Sequence, residues 1–118
     1  MFIDEKTQNE LYEWHKKAMP HVTLATQLLK LEEELDELAK AETDNDIAME
    51  LADVFICSFI LAKRFKSHIG FTVFKAMQRL MDGTMTGKVQ VYLDLKLDIN
   101  KSRKWVEIEP GVYRHKED

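Results

Sequence analysis

Apolar residues recur along most of this chain at three- and four-residue spacing, the period that lines one side of a helix. Between Glu5 and Met19, Leu11, Trp14 and Ala18 share a face, and Pro20 ends the run because its ring cannot continue a helix. A second helix is predicted from about Thr23, where Leu24, Leu28, Leu31, Leu35 and Leu38 form an amphipathic stripe. The polar run Glu42-Thr43-Asp44-Asn45-Asp46 closes it, with Asn45 or Asp46 expected to cap the next helix. That third helix, Ile47 to about Phe65, is apolar nearly all round, the mark of a buried helix. A fourth is predicted over Phe71 to Met81, with Phe74, Met77, Leu80 and Met81 apolar and Asp82-Gly83 ending it.

The stretch Lys88 to Asn100 is ambiguous by pattern alone. Val89, Val91, Leu93, Leu95, Leu97 and Ile99 alternate with polar or amphipathic neighbours, as in a strand. Yet the run is long for a strand and rich in residues that tolerate a helix. Beyond it, Pro110-Gly111 separates Val106-Ile108 from Val112-Tyr113 and suggests a small hairpin. No repeat or linker interrupts the chain. The fold expected is all-α: one domain over 1–118, an antiparallel bundle of four to five helices with its core over about 5–105, and a C-terminal tail over 106–118 with that hairpin.

Composition narrows the chemistry. The 118 residues carry a formal net charge of -4, so no general basic field attracts nucleic acid, and none is expected as a partner. A polyanionic ligand would need a cation added locally, and a metal ion is the obvious one. Cys57 is the only cysteine, which rules out an intrachain disulfide, and no Cys/His group has zinc spacing. The start MFIDEKTQNE lacks the features of a secretory signal. Ile47 to Ala62 is too short to span a bilayer. A cytoplasmic protein with no membrane partner is expected.

Within Ile47 to Ala62 only Glu50 and Asp53 are charged, three residues apart and one turn from each other on a helix. Burying two like charges is costly unless a cation lies between them, and that helix offers no Lys or Arg before Lys63. The preceding helix carries Glu32-Glu33-Glu34-Leu35-Asp36-Glu37. Glu32 and Asp36 fall on one side of the leucine stripe, as a solvated face does. Glu34 and Glu37 fall on the other, with Glu34 about 40° from Leu38 at about 100° per residue. A short connection makes the two helices antiparallel neighbours, so Glu34, Glu37, Glu50 and Asp53 are expected to converge. Four carboxylates without histidine suit a hard ion, Mg²⁺ or in its place Mn²⁺, rather than zinc.

EELDE at Glu33 to Glu37, followed after twelve residues by ELAD at Glu50 to Asp53, resembles the EExxE…ExxD signature of MazG-like nucleoside triphosphate pyrophosphohydrolases. Asn100-Lys101-Ser102-Arg103-Lys104-Trp105 resembles the NKxRxW motif of MazG-like proteins, including those described as dATP/dGTP pyrophosphohydrolases. The resemblance spans about Trp14 to Trp105. It implies an α-helical core, assembly as a homodimer or homotetramer, and Mg²⁺-assisted attack by water that splits a (d)NTP between its α- and β-phosphates. It also implies metal ligation by Glu34, Glu37, Glu50 and Asp53, with Glu33 orienting a ligand or a water beside them. Before NKxRxW the family has a helix, which puts Lys96, Asn100 and Arg103 on one stripe. Lys96, Lys101 and Arg103 would then hold the triphosphate, with Asn100 hydrogen-bonding beside it. Trp14 and His15 precede the acidic helix and are candidates to touch the base, though Trp14 serves equally as core.

Rival readings differ in what they leave on the chain. A di-iron carboxylate bundle needs Glu-x-x-His pairs, and Glu34, Glu37 and Glu50 have no histidine three residues on. A non-catalytic bundle binding nucleotide or a protein partner would keep Glu50 and Asp53 without turning substrate over. A plain structural bundle would ignore metal altogether.

Overall fold

The computed structural model describes residues 4–81 and 83–116, leaving Asp82 of the expected helix stop outside the described residues. Five helices and one hairpin follow in order: α1 (Glu5–Ala18), α2 (Leu24–Lys40), α3 (Asp44–Phe65), α4 (His68–Leu80), α5 (Gly83–Ser102), β1 (Trp105–Glu109) and β2 (Val112–His115). The protein is an all-α bundle with a small C-terminal hairpin.

Helix α3 is the axis of the bundle. Its sequence is apolar on every side from Val54 to Leu61, so it is covered by α2, α4 and α5, with α1 touching it more lightly. Val54, Phe55 and Leu61 are wholly buried, and each such side chain taken from water contributes about 1.5–3 kcal/mol. Phe55 meets Phe74 of α4 edge to face, centroids 4.8 Å apart. Gly70 lets α4 come this close. A Cβ there would stand 2.5 Å from Leu61 Cβ and 2.7 Å from the Ser58 carbonyl.

Several boundaries differ from the expectation. Thr43, not Asn45 or Asp46, caps α3: its hydroxyl accepts from the Asp46 amide at 3.1 Å. Asp44 and Asp46 instead occupy the first turn, where the helix dipole favours negative charge. Helix α4 starts at His68 rather than Phe71. Gly83, expected to end a helix, begins one. The leucine stripe of α2 is only partly covered, with Leu31 buried but Leu24 and Leu35 exposed.

The alternating stretch is helical. Val89, Leu93 and Leu97, four apart, are buried against α3, while Val91, Leu95 and Ile99, also four apart, are 58%, 52% and 43% exposed. Two apolar stripes on opposite sides of a helix alternate in sequence just as a strand does, since two residues advance about 200°. That is why the local pattern misled.

The hairpin pairs Trp105 with His115, Val106 with Arg114 and Glu107 with Tyr113, and is irregular between Glu107 and Glu109. Gly111 turns it in the left-handed region at φ 76° and lies against the corner between α1 and α2, where a Cβ would be 2.9 Å from the His21 carbonyl. No described helix is long and apolar enough to cross a membrane.

Candidate active site

Glu34 of α2 and Glu50 and Asp53 of α3 come together where the two helices face each other, one carboxylate oxygen from each lying within 4.8 Å of the others. The i, i+3 spacing of Glu50 and Asp53 puts both on the edge of α3 that looks toward α2. All three are half-buried. Burial, then the Asp53 charge, raises the pKa of Glu34. The same two causes, in the same order, raise that of Glu50. Each proton is held more tightly because the ionised forms repel one another in a partly desolvated place.

Three cations stand at these charges and at neighbouring Glu33. Lys96 of α5 donates to Asp53 Oδ2 at 2.6 Å. Lys30, one turn before Glu34, reaches Glu34 at 3.1 Å and Glu33 at 3.5 Å. Burial disfavours the Lys30 ammonium, but Glu34 and Glu33 outweigh it and its pKa stays above the ordinary value. Arg114 of β2 donates to Glu33 at 2.9 Å. Glu33 is thus tied to two cations and lies outside the trio.

The expected quartet is a trio here. Glu37 is exposed and not part of it, although its charge is felt at Glu50. The cation missing from α3 comes from α5. Lys96 and Asn100 share the buried side of that helix with Leu93 and Leu97, at about 100° per residue, and Asn100 lines the cavity beside the trio. Lys101 turns away to Glu10, 3.4 Å distant. Arg103 lies one residue past the end of α5, so the stripe breaks before it, and it stands exposed outside the cavity. Glu32 and Asp36 are solvated, as their face of α2 implied.

A cavity of about 280 Å³ runs from Glu34 and Asp53 to the hairpin, with Trp14, His15 and Trp105 in its wall. His15 is buried, and Arg64 donates to its Nδ1 at 2.8 Å. Burial, then the Arg64 charge, drive its pKa down to about 3, so the ring is neutral. Arg64 also donates to the Met19 and Pro20 carbonyls, fixing the end of α1. Cys57 is buried between α2 and α3, its thiol pushed up to about 12 chiefly by burial, which makes it an inert filler.

The model of the MazG nucleotide pyrophosphohydrolase domain matches residues 22–86, more than half of the chain. The chain belongs to the MazG family. Neither a curated protein nor a solved structure matches it. The matched MazG segment holds Glu34, Glu50 and Asp53, while Lys96, Asn100 and the whole hairpin lie beyond it. Sequence reasoning passed over Lys30 and Arg114. The i, i+4 spacing of Lys30 and Glu34 was a usable signal, whereas nothing in an eleven-residue hairpin far along the chain marks Arg114 as a partner of Glu33.

Proposed function

We propose that this MazG protein is a Mg²⁺-dependent nucleoside triphosphate pyrophosphohydrolase, cleaving a (d)NTP between the α- and β-phosphates to a monophosphate and pyrophosphate. The observation that carries this reading is the convergence of Glu34, Glu50 and Asp53 from two neighbouring helices beside a cavity that Glu34 and Asp53 line. An all-oxygen donor set without histidine or cysteine suits Mg²⁺ or Mn²⁺. Burial first and then the Asp53 charge raise the pKa values of Glu34 and Glu50, and a cation bound between them would offset both. Bound there, the ion would supply positive charge for the phosphates and acidify a water.

The chain's own groups have separable tasks. Glu34, Glu50 and Asp53 would hold the ion, with Glu37 adding charge from the rim. Lys96, Lys30 and Arg114 each rest on a carboxylate of this region. Once Glu34 and Asp53 turn to an ion, Lys30 and Lys96 are released from them and, with Arg114 beside them on Glu33, would hold a polyphosphate and stabilise charge on the leaving pyrophosphate. Glu33, between Lys30 and Arg114, would position these two. Asn100 would hydrogen-bond at the same edge. Lys101 and Arg103, outside the cavity in this chain, have no part in the resting site.

Assembly as a homodimer or homotetramer belongs to the same proposal, and the uncovered stripe Val91, Leu95 and Ile99 of α5 is the surface that supports it. So does action on free nucleotides in the cytoplasm.

One observation favours a second reading, a non-catalytic nucleotide-binding bundle: Lys96 already pairs with Asp53 at 2.6 Å. Product analysis separates the two. Protein with Mg²⁺ and a panel of dNTPs is expected to release pyrophosphate, and Glu50→Gln or Asp53→Asn to abolish release. Orthophosphate as product, or unchanged turnover in both variants, would overturn the hydrolase reading, and calorimetric binding without product would establish the second.

A further inference from the structure

We propose that the cavity beneath the C-terminal hairpin is a nucleobase pocket, in which Gln27 reads the edge of the base and the hairpin supplies the wall that selects it. The inference rests on the nucleotide reading above, and deepens it by locating the part of the substrate that no acidic or basic motif addresses.

Continuity comes first. Glu34 and Asp53 line the same cavity as the hairpin, so a ligand with its phosphates at the acidic end lays its other end under β1 and β2. The volume, about 280 Å³, lies just below the usual range for ligand sites. A base with its sugar suits it; a dinucleotide does not.

The lining has the chemistry of a base. Gln27 is buried at the α2–α3 contact with 6% of its surface exposed. Its Nε2 donates weakly to the Cys57 carbonyl at 3.4 Å and to Cys57 Sγ at 3.3 Å. No described residue donates to its Oε1, although the side chain borders the cavity. A base N–H, exocyclic or in the ring, supplies a donor to that oxygen. Because Cys57 holds the NH₂ end, the acceptor end is the one presented to the cavity. Aromatic rings complete the setting. Trp14 and Trp105 meet edge to face at 6.3 Å, and the Trp105 indole donates to the Asn100 carbonyl at 2.9 Å, which fixes its ring. Fixed aromatic side chains are the surfaces on which bases stack.

The hairpin is seated, not draped. Glu107 accepts from His21 Nδ1 and from the Gly111 amide, both at 2.8 Å, the Tyr113 hydroxyl accepts from the His21 amide at 3.1 Å, and Arg114 donates to Glu33. All of it lies beyond the residues the MazG domain model matches. The matched helices thus bring the acidic trio and Gln27, and the C-terminal segment beyond them closes the cavity over the base.

Trp14 and Trp105 are the only two tryptophans, and both line the cavity, so intrinsic fluorescence reports on its filling. The full chain in EDTA would be titrated with the four deoxynucleosides and their monophosphates, and calorimetry would read the same titrations. Pyrophosphate with Mg²⁺ would be titrated separately. The expected result is saturable quenching by nucleosides without metal, a ranking among the bases, and little change with pyrophosphate. Gln27→Leu should weaken the preferred nucleoside about ten-fold or more and flatten the ranking, while Trp105→Phe, which keeps an aromatic wall, should weaken it less. Circular dichroism of both variants checks that they fold. Absence of nucleoside binding by either readout overturns the proposal, as does an unchanged ranking in folded Gln27→Leu. If hydrolysis persists while nucleosides fail to bind, the pocket is wrong and the hydrolase reading stands. If nucleosides bind while no nucleotide is cleaved, the reverse holds.

Discussion

Replacing Glu50 by Gln separates a metal ligand from a structural group, because the two roles move stability in opposite directions. In the ion-free protein the Glu50 carboxyl is half-buried, and burial and then the Asp53 charge raise its pKa. A carboxyl whose folded pKa lies above its unfolded value binds its proton more tightly when folded. Its contribution to stability is therefore greatest at low pH and becomes a cost as pH rises through the folded value. Above the folded value that cost is carried by the ionised carboxylate, and an uncharged isostere relieves it. Glu50→Gln is expected to melt in EDTA no lower than the parent.

With an ion the sign reverses. A ligand that binds only the native state at a hundred times its Kd adds about 2.7 kcal/mol. At about 2.1 cal/mol/K per residue, 118 residues unfold with an entropy of about 250 cal/mol/K. The melting temperature of the parent should then rise by about 11 °C, and that of Glu50→Gln far less. Thermal melts followed by circular dichroism, in EDTA and in a Mg²⁺ or Mn²⁺ series at pH 7, measure both effects. A variant that melts well below the parent in EDTA yet keeps the full metal shift would refute the reasoning, since Glu50 would then be holding the fold and not the ion.

Other groups give independent tests. His15 is neutral in the fold with a pKa of about 3 against an ordinary 6.5, so the unfolded chain takes up its proton first as pH falls. Stability should decline from about pH 6.5 toward 3, and urea titrations at pH 7 and 5 should show the parent losing about 2 kcal/mol more than His15→Gln. Gly70→Ala forces a methyl into the Leu61 side chain and the α3 backbone, and should cost about 1–3 kcal/mol in the same assay. Leu95→Glu places a charge in the exposed stripe of α5 without touching the core, and should leave the helical spectrum intact while light scattering finds smaller particles than for the parent. An unchanged particle mass would remove that stripe from the assembly.

What the sequence discloses depends on whether a local pattern has one physical cause. The buried helix α3 was legible because eight consecutive residues, Val54 to Leu61, admit no solvated face. Glu50 and Asp53 stood out against it for the same reason. The turn at Pro110-Gly111 was legible because few residues adopt the conformation that Gly111 does. The α3 cap was misassigned because five polar residues stood in a row, and only hydrogen-bond geometry distinguishes Thr43 from its neighbours. Charge pairing between distant elements was the least visible. Lys96 meeting Asp53 and Arg114 meeting Glu33 depend on how α5 and the hairpin dock, which no spacing within either segment records.

Helix α5 shows why its two apolar stripes matter together. One stripe, Val89, Leu93 and Leu97, seats the helix on α3, and the same side turns polar toward its C-terminal end at Lys96 and Asn100, beside Asp53 and the cavity. The core contact therefore sets the depth at which Lys96 stands relative to the carboxylates. The opposite stripe, Val91, Leu95 and Ile99, faces outward and is exposed among the described residues. A second copy packing there would bear on the helix that positions Lys96 and, through the Trp105–Asn100 hydrogen bond, on the wall of the proposed base pocket. Assembly and chemistry thus meet on one helix: a side chain that reads in sequence as a misplaced strand residue would carry the subunit contact, and its neighbour would carry the substrate's charge.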